Sequence, residues 1–77
     1  MDRYEIYSKA IGKYGVENQK DMVIEEMSEL TKSILKERRA IKEQNKEMIE
    51  ITSEFVAEET ADVEIMLDQL KMMEQNG

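Results

Sequence analysis

The sequence predicts an all-α protein, in which a three-helix protomer assembles into an oligomeric helical bundle. The chain has no proline and only three glycines among 77 residues, and 38% of its residues are charged; this composition favours helices. Apolar residues recur every three or four positions, which is helical periodicity. One small domain, residues 1–77, has a marginal core, and without Cys or His it must gain stability from oligomerisation or from cations held by oxygen.

The first predicted helix covers about residues 2–14. Asp2 and Glu5 have the spacing of a capping box, in which the first side chain accepts a hydrogen bond from the third residue of the helix. Gly15 interrupts the pattern and predicts the end of the helix. The apolar positions of this helix are Tyr4, Tyr7, Ile11 and Tyr14.

The second and third predicted helices cover about residues 17–40 and 46–74, with Asn45 as the N-cap of the third. The expected apolar face of the second helix consists of Val23, Met27, Leu30, Ile34 and Ile41. The expected face of the third consists of Phe55, Glu59, Asp62, Met66, Leu70 and Met73, extended by Met48 and Ile51. Three short helices cannot cover both faces, so we expect a homodimer or a homotetramer.

An acidic motif occurs twice, as Glu25-Glu26-x-x-Glu29 and as Glu59-x-x-Asp62. On the third helix the two carboxylates interrupt the apolar stripe, and on the second helix Glu26 and Glu29 lie at its edge. Buried charges cost several kcal/mol each unless they are compensated. Cations are the natural compensation, because four carboxylates match the charge of two divalent ions.

The type of ligand predicts the type of ion. Carboxylate oxygens without imidazole or thiolate suit Mg²⁺, Mn²⁺ or Ca²⁺ and exclude the usual di-iron site, which needs histidine. An EF-hand is excluded as well, because the chain has no Asp-rich loop with a central glycine. Mg²⁺ keeps open coordination positions, so such a site indicates a phosphate-bearing substrate and an attacking water.

Charge and hydropathy exclude several other classes of protein. The formal net charge of −7 disfavours general nucleic-acid binding. No apolar run approaches the roughly 18 residues of a membrane-spanning helix, so no membrane partner is expected. The first residues, MDRYEIYSKA, lack the basic-then-apolar layout of a signal peptide, and we therefore expect a cytoplasmic protein.

The two acidic motifs and their flanks, EEMSELTKSILKERR and EETADVEIMLDQL, resemble the EExxE and ExxD signature of the all-α, MazG-like nucleoside triphosphate pyrophosphohydrolases. The resemblance extends from about Tyr14 to Leu70. It implies Mg²⁺-dependent cleavage of a nucleotide to its monophosphate and pyrophosphate. It also implies a substrate-binding role for Gln19, at a place where relatives often carry glutamine. The metal ligands that it implies are Glu26, Glu29, Glu59 and Asp62.

Neighbouring residues complete the predicted site. Lys36 shares a helix stripe with Glu26 and Glu29, and with Arg39 it is a candidate for binding phosphate, although ordinary surface pairing explains both equally well. Glu25 is the leading auxiliary base for a metal-activated water, but exposure without a role is the simpler reading of both Glu25 and Glu58. Two other functions stay open: an acidic interaction or oligomerisation module, and a family member that binds nucleotide without cleaving it.

Overall fold

Three α-helices account for nearly all of residues 2–75, the part of the chain that the computed structural model describes. They are α1 (Arg3–Tyr14), α2 (Val16–Lys42) and α3 (Lys46–Gln75). No strand occurs between residues 2 and 75. The predicted all-α class is confirmed, and each observed helix begins and ends within two residues of its predicted bounds.

The ends of the helices follow from local sequence. The Asp2 side chain accepts a hydrogen bond from the Glu5 amide at 2.9 Å, and the Asn45 side chain accepts one from the Met48 amide at 3.1 Å. Both predicted N-caps are therefore confirmed. Gly15 separates α1 from α2 with a φ of 86°, a value that side chains with a Cβ rarely adopt. Residues 43–45 form the turn between α2 and α3, where Gln44 also has a positive φ.

The longest contact is the antiparallel pairing of α2 with α3. Hydrogen bonds join Gln19 to Gln69 near one end and Glu37 to Ser53 near the other. Buried and half-buried residues alternate at spacings of four and three, as in a coiled coil. We call this contact the seam. Its α2 positions are Gln19, Val23, Glu26, Leu30, Ser33, Glu37 and Ala40. Its α3 positions are Ile49, Thr52, Val56, Glu59, Val63, Met66, Leu70 and Met73.

The predicted apolar face of α2 is wrong for three of its five residues. Met27, Ile34 and Ile41 lie outside the seam and are 48%, 39% and 52% exposed. Successive residues are rotated by about 100° around a helix. The stripe of the largest apolar side chains therefore runs beside a second stripe, which includes Glu26 and Ser33. The second stripe forms the seam. On α3, four residues of the predicted face are likewise exposed: Met48, Ile51, Phe55 and Asp62.

The apolar core lies at one end of the molecule, where α1 packs against the paired helices. Val23, Met66 and Met73 form its centre, and Ile11 and Leu70 pack against them. An ion pair of 3.6 Å between Arg3 and Asp68 also joins α1 to α3. The rest of the α2–α3 pair has no third helix upon it within residues 2–75, and the extents of 47 × 24 × 18 Å describe an elongated protomer.

Candidate metal centre

Three carboxylates from two helices meet in the middle of the α2–α3 pair. Each of Glu26, Glu59 and Asp62 offers one oxygen, and these three oxygens all lie within 4.8 Å of one another. Glu26 and Glu59 are seam positions on facing helices, which brings them together. Asp62 follows Glu59 by three residues, so it lies on the same side of α3 at the border of the seam. We call these three residues the carboxylate cluster.

Glu59 has the most unusual environment in the cluster. Glu59 as a whole is half-buried, and its Oε2 atom is buried without a hydrogen-bond partner. Loss of hydration raises the pKa of Glu59 above its ordinary value, and the negative charges of Glu26, Asp62 and Glu29 raise it further. Within residues 2–75, no lysine or arginine forms an ion pair with a member of the cluster. A cation or a proton would relieve this repulsion.

The cluster fits a hard divalent cation. Two oxygens bound to the same ion lie at most about 4.2 Å apart for Mg²⁺ and about 5 Å apart for Ca²⁺, given their usual metal–oxygen distances. The observed separations, within 4.8 Å, therefore need only small side-chain rotations to converge on one ion. Exposed acidic groups often occur together without an ion; the buried, unpaired oxygen of Glu59 is what distinguishes this group.

Glu29, the fourth predicted ligand, is not a member of the cluster. Its side chain is exposed and contacts Lys32 at 4.0 Å. Its charge nevertheless contributes to the raised pKa of Glu59, and both residues line the same cavity. A role for Glu29 as a metal ligand therefore stays a prediction that requires its side chain to turn toward the cluster.

A cavity of about 330 Å³ opens beside the carboxylates, toward the turn between α2 and α3. One end is acidic, Lys36 contributes a positive charge, and the remaining wall is largely apolar. The lining residues are Glu29, Ser33, Lys36, Met48, Ile51, Thr52, Phe55 and Glu59. The sequence predicts Met48, Ile51 and Phe55 only as an apolar stripe, but they line this cavity. Their position on one face of α3, next to Glu59, was the signal for a cavity wall.

The other predicted site residues lie in three different settings. Arg39 shares with Lys36 the wall of a neighbouring cavity of about 350 Å³. Glu25 is exposed and lies outside the carboxylate cluster, so its role as a base stays a prediction. Gln19 is buried and donates a hydrogen bond of 2.7 Å to Gln69. It lies two helical turns from Glu26, and binding a substrate would require that bond to break.

Comparison with known proteins found no relative of this chain. Neither protein-family models, nor curated proteins, nor solved structures gave a match to this chain. In the part of the chain that the structure describes, no helix has the length and apolar character needed to cross a membrane. The likeness to the MazG-like enzymes therefore stays an interpretation of the acidic motifs, and the function is inferred from the site itself.

Proposed function

We propose that this protein is an Mg²⁺-dependent nucleoside triphosphate pyrophosphohydrolase of the MazG-like type, which cleaves an NTP or dNTP to the monophosphate and pyrophosphate. One observation supports it above all: the carboxylate cluster, with the unpaired Oε2 of Glu59, borders a cavity that contains Lys36. A candidate site for cations thus adjoins a space with a positive charge and an apolar wall, a combination that suits a nucleotide.

Glu26, Glu59 and Asp62 would hold the metal, with Glu29 as a further ligand. When bound, Mg²⁺ (or Mn²⁺) lowers the pKa of coordinated water and neutralises charge on the phosphates. The chain contains no histidine or cysteine, so it lacks the commonest general base and the commonest thiol nucleophile. The exposed Glu25 is the proposed auxiliary base, which would accept a proton from the attacking water.

The cavity residues would orient the substrate. The Lys36 ammonium group offers a point charge to a phosphate oxygen, and Arg39 extends the positive surface by one helical turn. The apolar wall formed by Met48, Ile51 and Phe55 suits the uncharged part of a nucleotide. Lys36 lies on α2 and the apolar wall lies on α3, so the pairing of the two helices along the seam would hold the proposed phosphate-binding and apolar parts next to each other.

A non-catalytic interaction module remains the rival function. Its support is the exposed apolar row of Met27, Ile34 and Ile41 on α2, which indicates association with another surface. That row excludes neither function, because an enzyme can also assemble. We propose a homodimer or homotetramer as the assembled form in either case.

The decisive experiment measures pyrophosphate release from a panel of NTPs and dNTPs in the presence of Mg²⁺. Replacing Glu26, Glu59 or Asp62 by the matching amide should lower turnover by orders of magnitude, since the shape is kept and a metal-binding charge is lost. Lys36→Ala should mainly raise the apparent KM, if the ammonium group meets the phosphate before and during reaction.

Glu64→Gln is the matched control. Glu64 is exposed and lies two residues from Asp62, which directs the two side chains about 160° apart on the helix; its replacement should leave turnover unchanged. Equal turnover in the wild type and in every variant would show that the carboxylate cluster is not the active site. Mg²⁺-dependent nucleotide binding without pyrophosphate release would instead identify a protein that binds and does not cleave.

A further inference from the structure

The charge of α2 reverses along its length. Residues 17–29 contain five carboxylates and one lysine, whereas residues 32–42 contain five basic residues and one carboxylate. Although the formal net charge of the chain is −7, the basic residues of α2 are thus gathered near the turn that joins it to α3. The helix dipole favours cations near this end of α2, but it does not determine which of them border a cavity.

Two cavities adjoin each other along the α2–α3 pair. We call the cavity of about 330 Å³ beside Glu59 the first cavity, and the cavity of about 350 Å³ nearer the turn the second cavity. Both are lined by Lys36, Met48 and Thr52, whereas Arg39 lines the second and not the first. One ligand can therefore extend from the first cavity past Lys36 into the second.

Charge and polarity change in a definite order along these two cavities. The first cavity begins at the carboxylates of Glu29 and Glu59, continues along the apolar wall on α3 and ends at Lys36. Ten residues separate Glu29 from Arg39, which corresponds to about 15 Å of helix axis. The order is therefore acidic, apolar and basic. A triphosphate chain is anionic throughout, so it has no uncharged part that could lie against the wall between the two ends.

The two cations of the second cavity are available to an anion. Within residues 2–75, neither Lys36 nor Arg39 forms an ion pair, although Glu43 lines the same cavity and follows Arg39 by four residues, a spacing that allows pairing on a helix. Both cations are exposed. An anionic group in the second cavity would meet one ammonium and one guanidinium group, and a guanidinium group can donate two parallel hydrogen bonds to a phosphate.

We propose that the second cavity binds a phosphate attached to the sugar of the nucleotide, so that the ligand carries phosphates both at its 5′ position and at its 2′ or 3′ position. The carboxylate cluster would hold the 5′ phosphates through Mg²⁺, the apolar wall would contact the nucleoside, and Lys36 and Arg39 would bind the second phosphate. This assignment rests on the proposed function, because it takes the carboxylate cluster as the place of the 5′ phosphates.

Binding can be measured without cleavage, because AMP and the adenosine bisphosphates contain no phosphoanhydride bond. In calorimetric titrations with Mg²⁺, the 3′,5′-bisphosphate or its 2′,5′ isomer should bind about tenfold more tightly than AMP, which corresponds to one charge-assisted hydrogen bond. Arg39→Gln should remove most of this difference. Arg38→Gln is the matched control, because Arg38 is the adjacent exposed arginine but lines a different cavity, with Ile41 and Lys42; it should keep the difference.

Several outcomes would overturn the proposal. Equal affinity for AMP and both bisphosphates, or no binding of any of them, would do so. Equal losses in Arg38→Gln and Arg39→Gln would indicate general attraction by the basic part of α2. A 5′-phosphorylated dinucleotide carries a phosphodiester at the same position, and tighter binding of it than of either bisphosphate would identify an oligonucleotide as the ligand. A preference for a bisphosphate without pyrophosphate release from any NTP would instead support the second cavity as a phosphate site and contradict the hydrolase.

Discussion

Two of the polar contacts between α2 and α3 are built from opposite chemistry. Gln19 and Gln69 are 7% and 6% exposed, and the amide nitrogen of one donates to the amide oxygen of the other at 2.7 Å. Two helical turns further along α2, Glu26 approaches Glu59. An amide both donates and accepts hydrogen bonds, whereas an ionised carboxylate only accepts. The two glutamines can therefore hydrogen-bond to each other, whereas two ionised glutamates cannot.

The difference distinguishes a contact that is hydrogen-bonded within the chain from a contact whose repulsion the chain does not compensate. Buried polar groups that are fully hydrogen-bonded contribute to a unique packing of helices. Two ionised carboxylates close together repel each other, and the Oε2 atom of Glu59 is buried without a hydrogen-bond partner. A sequence selected only for helix pairing would gain by replacing Glu59 with glutamine. Either a cation or a proton would relieve the repulsion within the glutamate pair, and the predictions that follow test whether a cation does so.

The largest expected effect is stabilisation by Mg²⁺ acting on the glutamate pair. An ion that binds only the folded state stabilises it by about 2.7 kcal/mol at 100 times its dissociation constant. The wild-type melting temperature should therefore be higher in millimolar Mg²⁺ or Mn²⁺ than in EDTA. Glu59→Gln should be more stable than the wild type in EDTA, because a repulsion is removed, and should gain little from Mg²⁺.

Glu64→Gln serves as the control for this measurement, since it removes one negative charge from an exposed position outside the cluster. Its response to Mg²⁺ should equal that of the wild type. Identical wild-type melting curves in EDTA and in Mg²⁺ would mean that the carboxylate cluster does not hold an ion, and the interaction-module function would then be favoured.

A smaller effect is expected at the glutamine pair. Gln69→Leu removes the acceptor for the Gln19 amide and leaves a buried donor unpaired, which costs about 1–3 kcal/mol. Urea denaturation should show this loss, and the double variant Gln19→Leu/Gln69→Leu should recover part of it because no polar group is left unsatisfied. The increase in stability caused by Mg²⁺ should be unchanged in both. Gln75→Leu, at an exposed position of α3, is the control; a loss equal to that of Gln69→Leu would argue against a structural role for the pair.

Local features of the fold could be predicted from the sequence, because they depend on neighbouring residues. The caps at Asp2 and Asn45 and the break at Gly15 are examples. The seam could not be predicted in the same way. The predicted apolar stripe and the seam stripe of α2 lie less than a third of a turn apart around the helix. Which of the two packs against α3 depends on the residues of α3. The more polar stripe packs in the protomer, whereas the row containing Met27 and Ile34 stays exposed.

The candidate site, like the fold, was predicted in part. Glu59 and Asp62 stood out because they interrupt an apolar stripe, and the structure brings Glu26 to them. Glu29 lies only three residues from Glu26, yet that rotation directs it out of the seam. Gln69, the hydrogen-bond partner of Gln19, lies fifty residues away in the sequence, and no local pattern predicts a contact of that range. Side-chain type indicated the candidate ligands, and tertiary packing decided which of them lie close together.

The smallest expected effect is a dependence of stability on pH that belongs to Glu59. Its pKa in the folded protein is raised above the ordinary value of 4.5, so the folded state binds a proton more tightly than the unfolded state. The resulting stabilisation is complete below the unfolded-state pKa and is lost as pH rises through the folded-state pKa. In EDTA, lowering the pH from 7 toward 4.5 should therefore stabilise the wild type relative to Glu59→Gln, and Mg²⁺ should reduce this difference because ion and proton compete for one carboxylate. Melting temperatures of the two proteins across this range provide the measurement, with Glu64→Gln expected to parallel the wild type. If the difference in melting temperature between the wild type and Glu59→Gln stays constant with pH, the repulsion within the glutamate pair is too weak to require a cation.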